Sequence, residues 1–438
     1  MKRTSLILPR FGNGIGLART ARVARRLGLD LDELGRKAVV ITGSNGKGST
    51  AAWLTALQCA AGGRVGTFVS PHLFAFNERF KIDDVPVDDV TILSAEARLD
   101  AVLRDDAEAQ GGDQLGEFEA WFLVALMIFA DAECDNLVIE AGIGGRYDPT
   151  RLLKAPLAAI VSLDLEHTSL LGGSLREIAL DKFDVAPPGA RVLIGRNVET
   201  EWDSLATMGA LRSVKVERSS VLFRATASRD TIETHEIRLE HAELGGLTGT
   251  TALHGVRQVE NLQLAIELAR AARPEIEAAR WPSLVRHAMA RVACPGRLEV
   301  LEGGPPLLID VGHTPAAVGA AVAAVKELTA GRETTLLLGM SHNKDVDGML
   351  GQILPAFDRM IVGAAYNGLE PEALAARAQA VRPSVAVAAV ASDAKAALDL
   401  AHAQAGNVDV LVGLGGLFWA GALRAARLGQ SLEALDFS

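Results

Sequence analysis

The chain reads as two α/β domains, and three observations predict this. From Lys37 onward, short β-rich apolar runs alternate with helical patterns, as in a mostly parallel sheet covered by helices. The alternation breaks near Pro295-Gly296 and then restarts, which marks a linker. A length of 438 residues, 49% of them hydrophobic, exceeds one ordinary core and can fill two. The expected division is 1–294 and a smaller unit at 295–438.

In chain order, "KAVVITG" is the first expected strand, followed by a glycine-rich loop and a helix from Ser49. "VGTFVS", "NLVIEAG" and "LAAIVSL" are further strands, with helices over "FEAWFLVALMIFA" and "SLREIALDKF". Between about 192 and 251, "SVKVERSS" and "TIETHEIRLE" alternate in polarity and predict antiparallel strands at a sheet edge. The helix "VRQVENLQLAIELARAA" leads to the linker "ACPGRLEV". Beyond it "PLLIDVG", "TTLLLGM", "RMIVGAA", "VAVAAV" and "VDVLVGLGG" alternate with helices as a second α/β unit.

A net charge of -10 and a pI near 5.5 speak against a nucleic-acid or anionic-membrane partner, which needs a basic footprint. Small anions held by backbone amides stay open. Cys59, Cys134 and Cys294 form no CxxC, so neither a disulfide framework nor structural zinc is expected, and they read as buried thiols in a reducing compartment. The most apolar helix meets Asp131 after too short a run to span a bilayer, and no apolar h-region opens the chain. The expectation is a soluble cytoplasmic protein.

"VVITGSNGKGSTAAWL" has the strand-loop-helix setting of a phosphate-binding loop, but Gly48 separates Lys47 from Ser49 and Thr50. Lys47 would hold phosphate oxygens, and Ser49 or Thr50 would approach Mg²⁺. Ligands of a doubly wound sheet bind at the carboxyl ends of its strands. Ser70 and His72 follow one strand there, Glu140 ends another, and His167 lies just past a third. A hydroxyl, a carboxylate and an imidazole can share a divalent ion. The plainer alternatives are Ser70 capping a turn, Glu140 paired with an arginine, and His167 a satisfied loop residue.

"TGSNGKGST", "SPHLFAFNERFKIDD", "FEAWF", "VIEAGIGGRYD", "DLEHTSLLGGSLREIALDK", "PGR", "DVGHTP" and "NKD" follow one another as in the folylpolyglutamate synthase/dihydrofolate synthase branch of the Mur ligases. The chain resembles that family over nearly its whole length. The resemblance implies a P-loop-type ATPase domain with a mostly parallel sheet and a smaller Rossmann-like α/β domain. It also implies an ATP-dependent ligase, working as a monomer, that activates a folate-like carboxylate as an acyl phosphate and couples it to L-glutamate. ATP, two Mg²⁺ ions and a carbamylated lysine are the implied cofactors.

By resemblance, Asn45, Gly46, Lys47, Gly48, Ser49 and Thr50 bind the ATP phosphates, and Gln258, Asn261, Arg297, Asp310 and His313 reach the nucleotide. Ser49, Ser70, Glu140 and His167 hold magnesium, and Lys182 matches the carbamylated lysine that supports a second ion. Lys47, His167 and Lys182 form the implied catalytic set. Phe118, Glu119, Arg146, Tyr147, Asp148 and Arg151 fall on the acceptor-binding segments. Lys182 could instead be a solvated helix residue, and His313 a helix-start residue.

The departures from the family pattern cluster on the acceptor side. Gly116 stands where the family has Thr, and Asp148-Pro149-Thr150-Arg151 replaces "DATN". "EKAGI" becomes Asp181-Lys182-Phe183-Asp184-Val185, "HNP" becomes His313-Thr314-Pro315, and "HQ" becomes Arg257-Gln258. Arg151 puts a fixed cation where the family has an amide, which would suit an additional carboxylate or be a surface arginine. The alternatives are a paralogue with a non-folate pterin-like or small carboxylate acceptor, a P-loop kinase or NTPase, and a non-catalytic nucleotide-binding regulator.

Overall fold

The computed structural model describes residues 9, 12, 14–106, 112–232, 234–342, 344–404 and 408–431. An eight-stranded sheet is built from β1 Ala38–Thr42, β2 Val65–Phe68, β3 Phe80–Ile82, β4 Val85–Pro86, β5 Asn136–Glu140, β6 Leu157–Ile160, β7 Arg191–Ile194 and β8 Lys215–Arg218. Their order is β4-β3-β2-β5-β1-β6-β7-β8, parallel from β2 to β8, with β3 and β4 antiparallel at one edge.

β1 explains why its sequence is apolar throughout rather than alternating. Val39 and Ile41 enter one core with Trp53, Leu57 and Leu262, while Ala38 and Val40 enter the other with Phe122 and Leu126. A strand buried on both faces needs apolar residues at both parities. Helices Lys47–Ala61 and Val256–Ala272 cover the first face, and helix Glu117–Asp131 covers the second.

The middle of the chain differs from the expectation. "SVKVERSS" forms β8, an edge strand, but it pairs parallel to β7. "TIETHEIRLE" supplies the central strand of a separate three-stranded antiparallel sheet, made of β9 Phe223–Asp230, β10 His235–His241 and β11 Gly245–Thr251. β10 alternates because one of its faces is buried, β8 is covered only in part, and in neither does the sequence period carry information about strand direction.

The third sheet contains β12 Glu299–Leu301, β13 Leu307–Ile309, β14 Thr334–Leu338, β15 Arg359–Gly363, β16 Ala386–Ala391 and β17 Val410–Leu414, in the order β12-β13-β17-β14-β15-β16. Only β12 runs antiparallel to its neighbour. Two side chains from earlier in the chain enter the cores of this unit, Leu73 beside Val311 and Ile232 beside Leu298. Cys134 is buried and Cys59 and Cys294 are half-buried, all as free thiols. Among the described residues, no helix is long and apolar enough to cross a membrane.

Candidate active site

The loop after β1 turns on Gly43 and Gly46, both at positive φ, and Gly46 caps helix Lys47–Ala61 in the left-handed region. A Cβ at Gly46 would also meet Asn261 Oδ1 at 3.0 Å, so glycine suits both the backbone and the packing. The loop is laced to the end of β6. Ser44 N donates to Ser162 O at 2.9 Å, Asn45 N to Ser162 Oγ at 2.8 Å, and Asp164 N to Ser44 Oγ at 3.0 Å. A rigid loop at a helix N-terminus is what an anion site requires.

Helix Val256–Ala272 braces this loop from behind. Gln258 Nε2 donates to Ser49 Oγ at 3.2 Å, while Gln258 Oε1 accepts from Trp53 Nε1 at 3.3 Å and Asn261 Nδ2 at 3.4 Å. Trp53 is fully buried, so the amide that orients Ser49 is itself held by the core. Thr50 is wholly buried, with no partner for its hydroxyl among the described residues. Asn45 is exposed, and Lys47 Nζ reaches back to Gly43 O at 2.9 Å.

Glu140 sits at the carboxyl end of β5, only 4% exposed, and accepts from Ser70 N at 3.3 Å. Its carboxylate lies near Gly48, where an added Cβ would be 3.5 Å from Oε2. Burial pushes its carboxyl up to about 7, against the pull of Lys47, Ser70 N and Arg297. A buried carboxylate with one weak partner at a helix N-terminus fits an oxygen ligand for a hard cation. No group of three His, Cys, Asp or Glu side chains able to hold a metal occurs among the described residues, so Glu140 and His167 would need hydroxyl, phosphate or water oxygens to complete a shell.

His167 is exposed at the start of helix Thr168–Leu171, with left-handed φ of 45°. Lys182 is not the solvated residue that the plainer alternative supposed. It is 1% exposed, and its Nζ donates to Glu166 Oε1 at 2.8 Å. Burial drives the lysine below its ordinary value, opposed by Glu166. Burial would raise Glu166, but Lys182, Lys47 and Ser44 together hold it below the usual carboxylate range. Sequence reasoning passed over Glu166, although it lies beside His167 in "DLEHTSLLG"; an acidic residue preceding a candidate ligand was the signal.

The third sheet contributes the facing side. Arg297 is half-buried after the linker, and its charge acts on both Glu140 and Asp310. Asp310 is buried, accepts from Leu298 N at 3.1 Å and Gly312 N at 2.7 Å, and is raised by burial. His313 is exposed, and desolvation by the surrounding chain, then the cations Lys344, Arg297 and Lys47, hold its imidazole below the ordinary range. Cys294, unforeseen here, brings its thiol to 3.8 Å from Ser49 Oγ. Asn343 of "NKD" lies outside the described residues.

The acceptor candidates divide. Phe118 stands between two strand ends, its ring 5.6 Å from that of Phe68 and against Gly142, where a Cβ would meet it at 3.0 Å. Tyr147 is exposed nearby in sequence. Arg146 Nε donates to Asp184 Oδ2 at 2.5 Å, an acid that Arg212 also contacts. Asp148 is buried and accepts from Gly142 N, Ile143 N, Thr150 N and Thr150 Oγ1, so it shapes the turn. Glu119 is engaged by Arg19 through both oxygens. Arg151 donates to Arg146 O and lines a groove with Pro187 and Pro188, before β7, and Ser213, before β8. That is the amino end of the sheet, away from the loop.

Comparison with known proteins agrees with this geometry. Residues 296–416 match the family described as Mur ligase, glutamate ligase domain. The chain is 31% identical over 358 residues to a dihydrofolate synthase/folylpolyglutamate synthase of Mycobacterium tuberculosis, covering 76% of this chain and 72% of that one. It is 32% identical over 401 residues to a probable bifunctional folylpolyglutamate synthase/dihydropteroate synthase of Haloferax volcanii, and spans 45% of that longer protein. The structure of Mycobacterium tuberculosis folylpolyglutamate synthase complexed with ADP superposes with a TM-score of 0.83 at 27% identity, covering 95% of this chain and 96% of that one.

Proposed function

The chain belongs to the dihydrofolate synthase/folylpolyglutamate synthase family, and from that premise we propose that it is an ATP-dependent ligase joining a folate-like carboxylate to the amine of L-glutamate. The observation that carries the proposal is the meeting of Lys47, Glu140 and Arg297 in one electrostatic neighbourhood, with Lys182 buried beside Glu166. In this reading 1–294 is the nucleotide-binding unit and 295–438 closes over it. The protein acts as a cytoplasmic monomer.

A carboxylate is a poor electrophile, and its oxide is a poor leaving group. An acceptor oxygen attacks the γ-phosphorus of ATP, ADP leaves, and the glutamate amine then attacks the acyl carbon and expels phosphate. The amine loses its proton as the amide forms. The protein's main task is to align two anions and balance their charge.

The loop amides and Lys47 hold the phosphates, and Gln258 keeps Ser49 oriented toward them. Arg297 brings positive charge from the facing unit and His313 a neutral imidazole, so closure between the two units completes the site. Asp310, fixed by two backbone amides, is set to accept from a sugar hydroxyl of the nucleotide. Phe118 forms an apolar wall for a flat acceptor ring.

Ser49, Ser70, Glu140 and His167 are the residues that would hold Mg²⁺, which when bound neutralises phosphate charge. Lys182 is the residue that would carry a carbamate, whose oxygens would support a second ion. Its burial and depressed ammonium suit that modification, because the neutral amine is the form that takes up CO₂.

The test is phosphate release with ATP, Mg²⁺ and L-glutamate over dihydropteroate, tetrahydrofolate and non-folate aryl carboxylates, with product masses read in parallel. A gain of one glutamate on a pteroyl compound supports the proposal. Gain only on a non-folate carboxylate would keep the ligase and replace its acceptor, and ATP turnover without a new product would overturn the ligase itself.

A further inference from the structure

We infer that Arg19 is a positioning residue for the acceptor site, acting through Glu119 on the wall formed by Phe118. The inference rests on the proposed role of Phe118 as that wall. Arg19 lies on helix Leu17–Arg26, 100 residues from Glu119, and is 2% exposed. Its Nε donates to Glu119 Oε2 and its Nη2 to Glu119 Oε1, each at 2.7 Å, which is the two-point fork that an arginine makes and a lysine cannot.

Glu119 in turn accepts from Gly116 N at 3.0 Å, so the fork fixes the first turn of helix Glu117–Asp131. Phe118 is in that turn, wedged between Phe68 near the end of β2 and Gly142 just past β5. Those strand ends also carry Ser70 and Glu140. Moving the turn therefore shifts the wall relative to the residues that would hold Mg²⁺ beside the transferred phosphate.

The surroundings leave the fork little room to relax. A Cβ on Gly16 would come within 1.7 Å of Glu119 Oε1, and one on Gly12 within 2.2 Å of Arg19 Nη2. Arg19 Nη2 also donates to Gly14 O at 3.1 Å, and Nη1 to Asp113 Oδ1 at 3.5 Å. Among the described residues, the hydrogen bonds of Arg19 and Glu119 run to Gly14, Asp113 and Gly116, on the acceptor side of the sheet. The effect of this network should fall on the acceptor and spare ATP.

Arg19→Lys keeps the charge and removes the fork, and Arg19→Met removes both. With dihydropteroate as probe, Arg19→Lys should raise the acceptor KM roughly tenfold, while the KM for ATP stays within about twofold. In a Phe118→Ala background the same change should have little further effect, because the wall it positions is gone. An unchanged acceptor KM, equal rises in both KM values, or additive effects in the double variant would overturn the inference. Failure of Arg19→Lys to fold would overturn it too, since the pair would then hold the fold rather than the wall. If the unaltered protein neither binds nor ligates dihydropteroate, the acceptor reading fails and takes this inference with it; ligation by the unaltered protein with an unaffected Arg19→Lys removes the inference alone.

Discussion

The phosphate end and the acceptor end of the cleft are built differently. At the phosphate end, backbone amides, two loop glycines and a buried brace of Gln258, Trp53 and Asn261 leave few degrees of freedom. At the acceptor end, the half-buried Phe118 ring packs on Phe68 and Gly142, and its position depends on an ion pair to a helix 100 residues away. The first region can carry a fixed reaction. The second can change its acceptor without disturbing that reaction.

The largest effect should come from Lys182→Ala, which would lower ligation by roughly 10³-fold or more while leaving ATP affinity within about threefold. Product formation and nucleotide binding, measured separately, check it. Full activity would remove the carbamate assignment and much of the contrast between chemistry and binding.

Glu140→Gln should cost ligation about two orders of magnitude but stabilise the nucleotide-free protein at alkaline pH. The Glu140 carboxyl is raised from 4.5 to about 7, so the native state binds the proton more tightly than the unfolded chain. Its contribution is therefore complete below about 4.5 and lost as pH rises through 7, at up to about 1.4 kcal/mol per pH unit. Thermal melts from pH 5 to 9 would show the unaltered protein losing Tm across that window and the variant losing less. Parallel melting curves would contradict the burial argument.

Glu96 offers a contrast without a reaction. It is 1% exposed on helix Asp89–Arg104, neither oxygen has a partner among the described residues, and burial pushes it up to about 7. Glu96→Gln should raise Tm at pH 8, with the gap closing toward pH 5, and leave activity unchanged. Adding Mg²⁺ and ATP should shrink the pH dependence due to Glu140 and not that due to Glu96. A lower Tm at pH 8 would refute this.

The smallest effect is expected from Arg151→Asn. Its guanidinium serves the Arg146 carbonyl near the amino end of the sheet, so relative kcat/KM over the acceptor panel should move less than about twofold. A larger shift toward folates would restore Arg151 as a selector.

How much was legible in the sequence follows the same division. The strand-loop-helix at Ala38–Ala61 was readable because its chemistry is local: an apolar strand, glycines for the turn and a lysine at the helix start. Glu140 and Ser70 were readable because strand ends converge in a parallel sheet. The direction of β8 was not, since alternation encodes a buried face and not a pairing partner. Glu119 and Asp148 read as acceptor contacts, but the structure gives their oxygens to Arg19 and to a turn. Such partners are set by tertiary packing, which spacing does not record. Glu166 sat in plain view beside His167, and only the fold brings Lys182 to it.

Transfer of phosphate to the acceptor carboxylate is the central step, and oxygen labelling follows that oxygen directly. An acceptor carrying ¹⁸O in its carboxylate, incubated with ATP, Mg²⁺ and L-glutamate, should yield one ¹⁸O in the released phosphate for each amide formed. Amide formation with unlabelled phosphate would contradict activation as an acyl phosphate at this site.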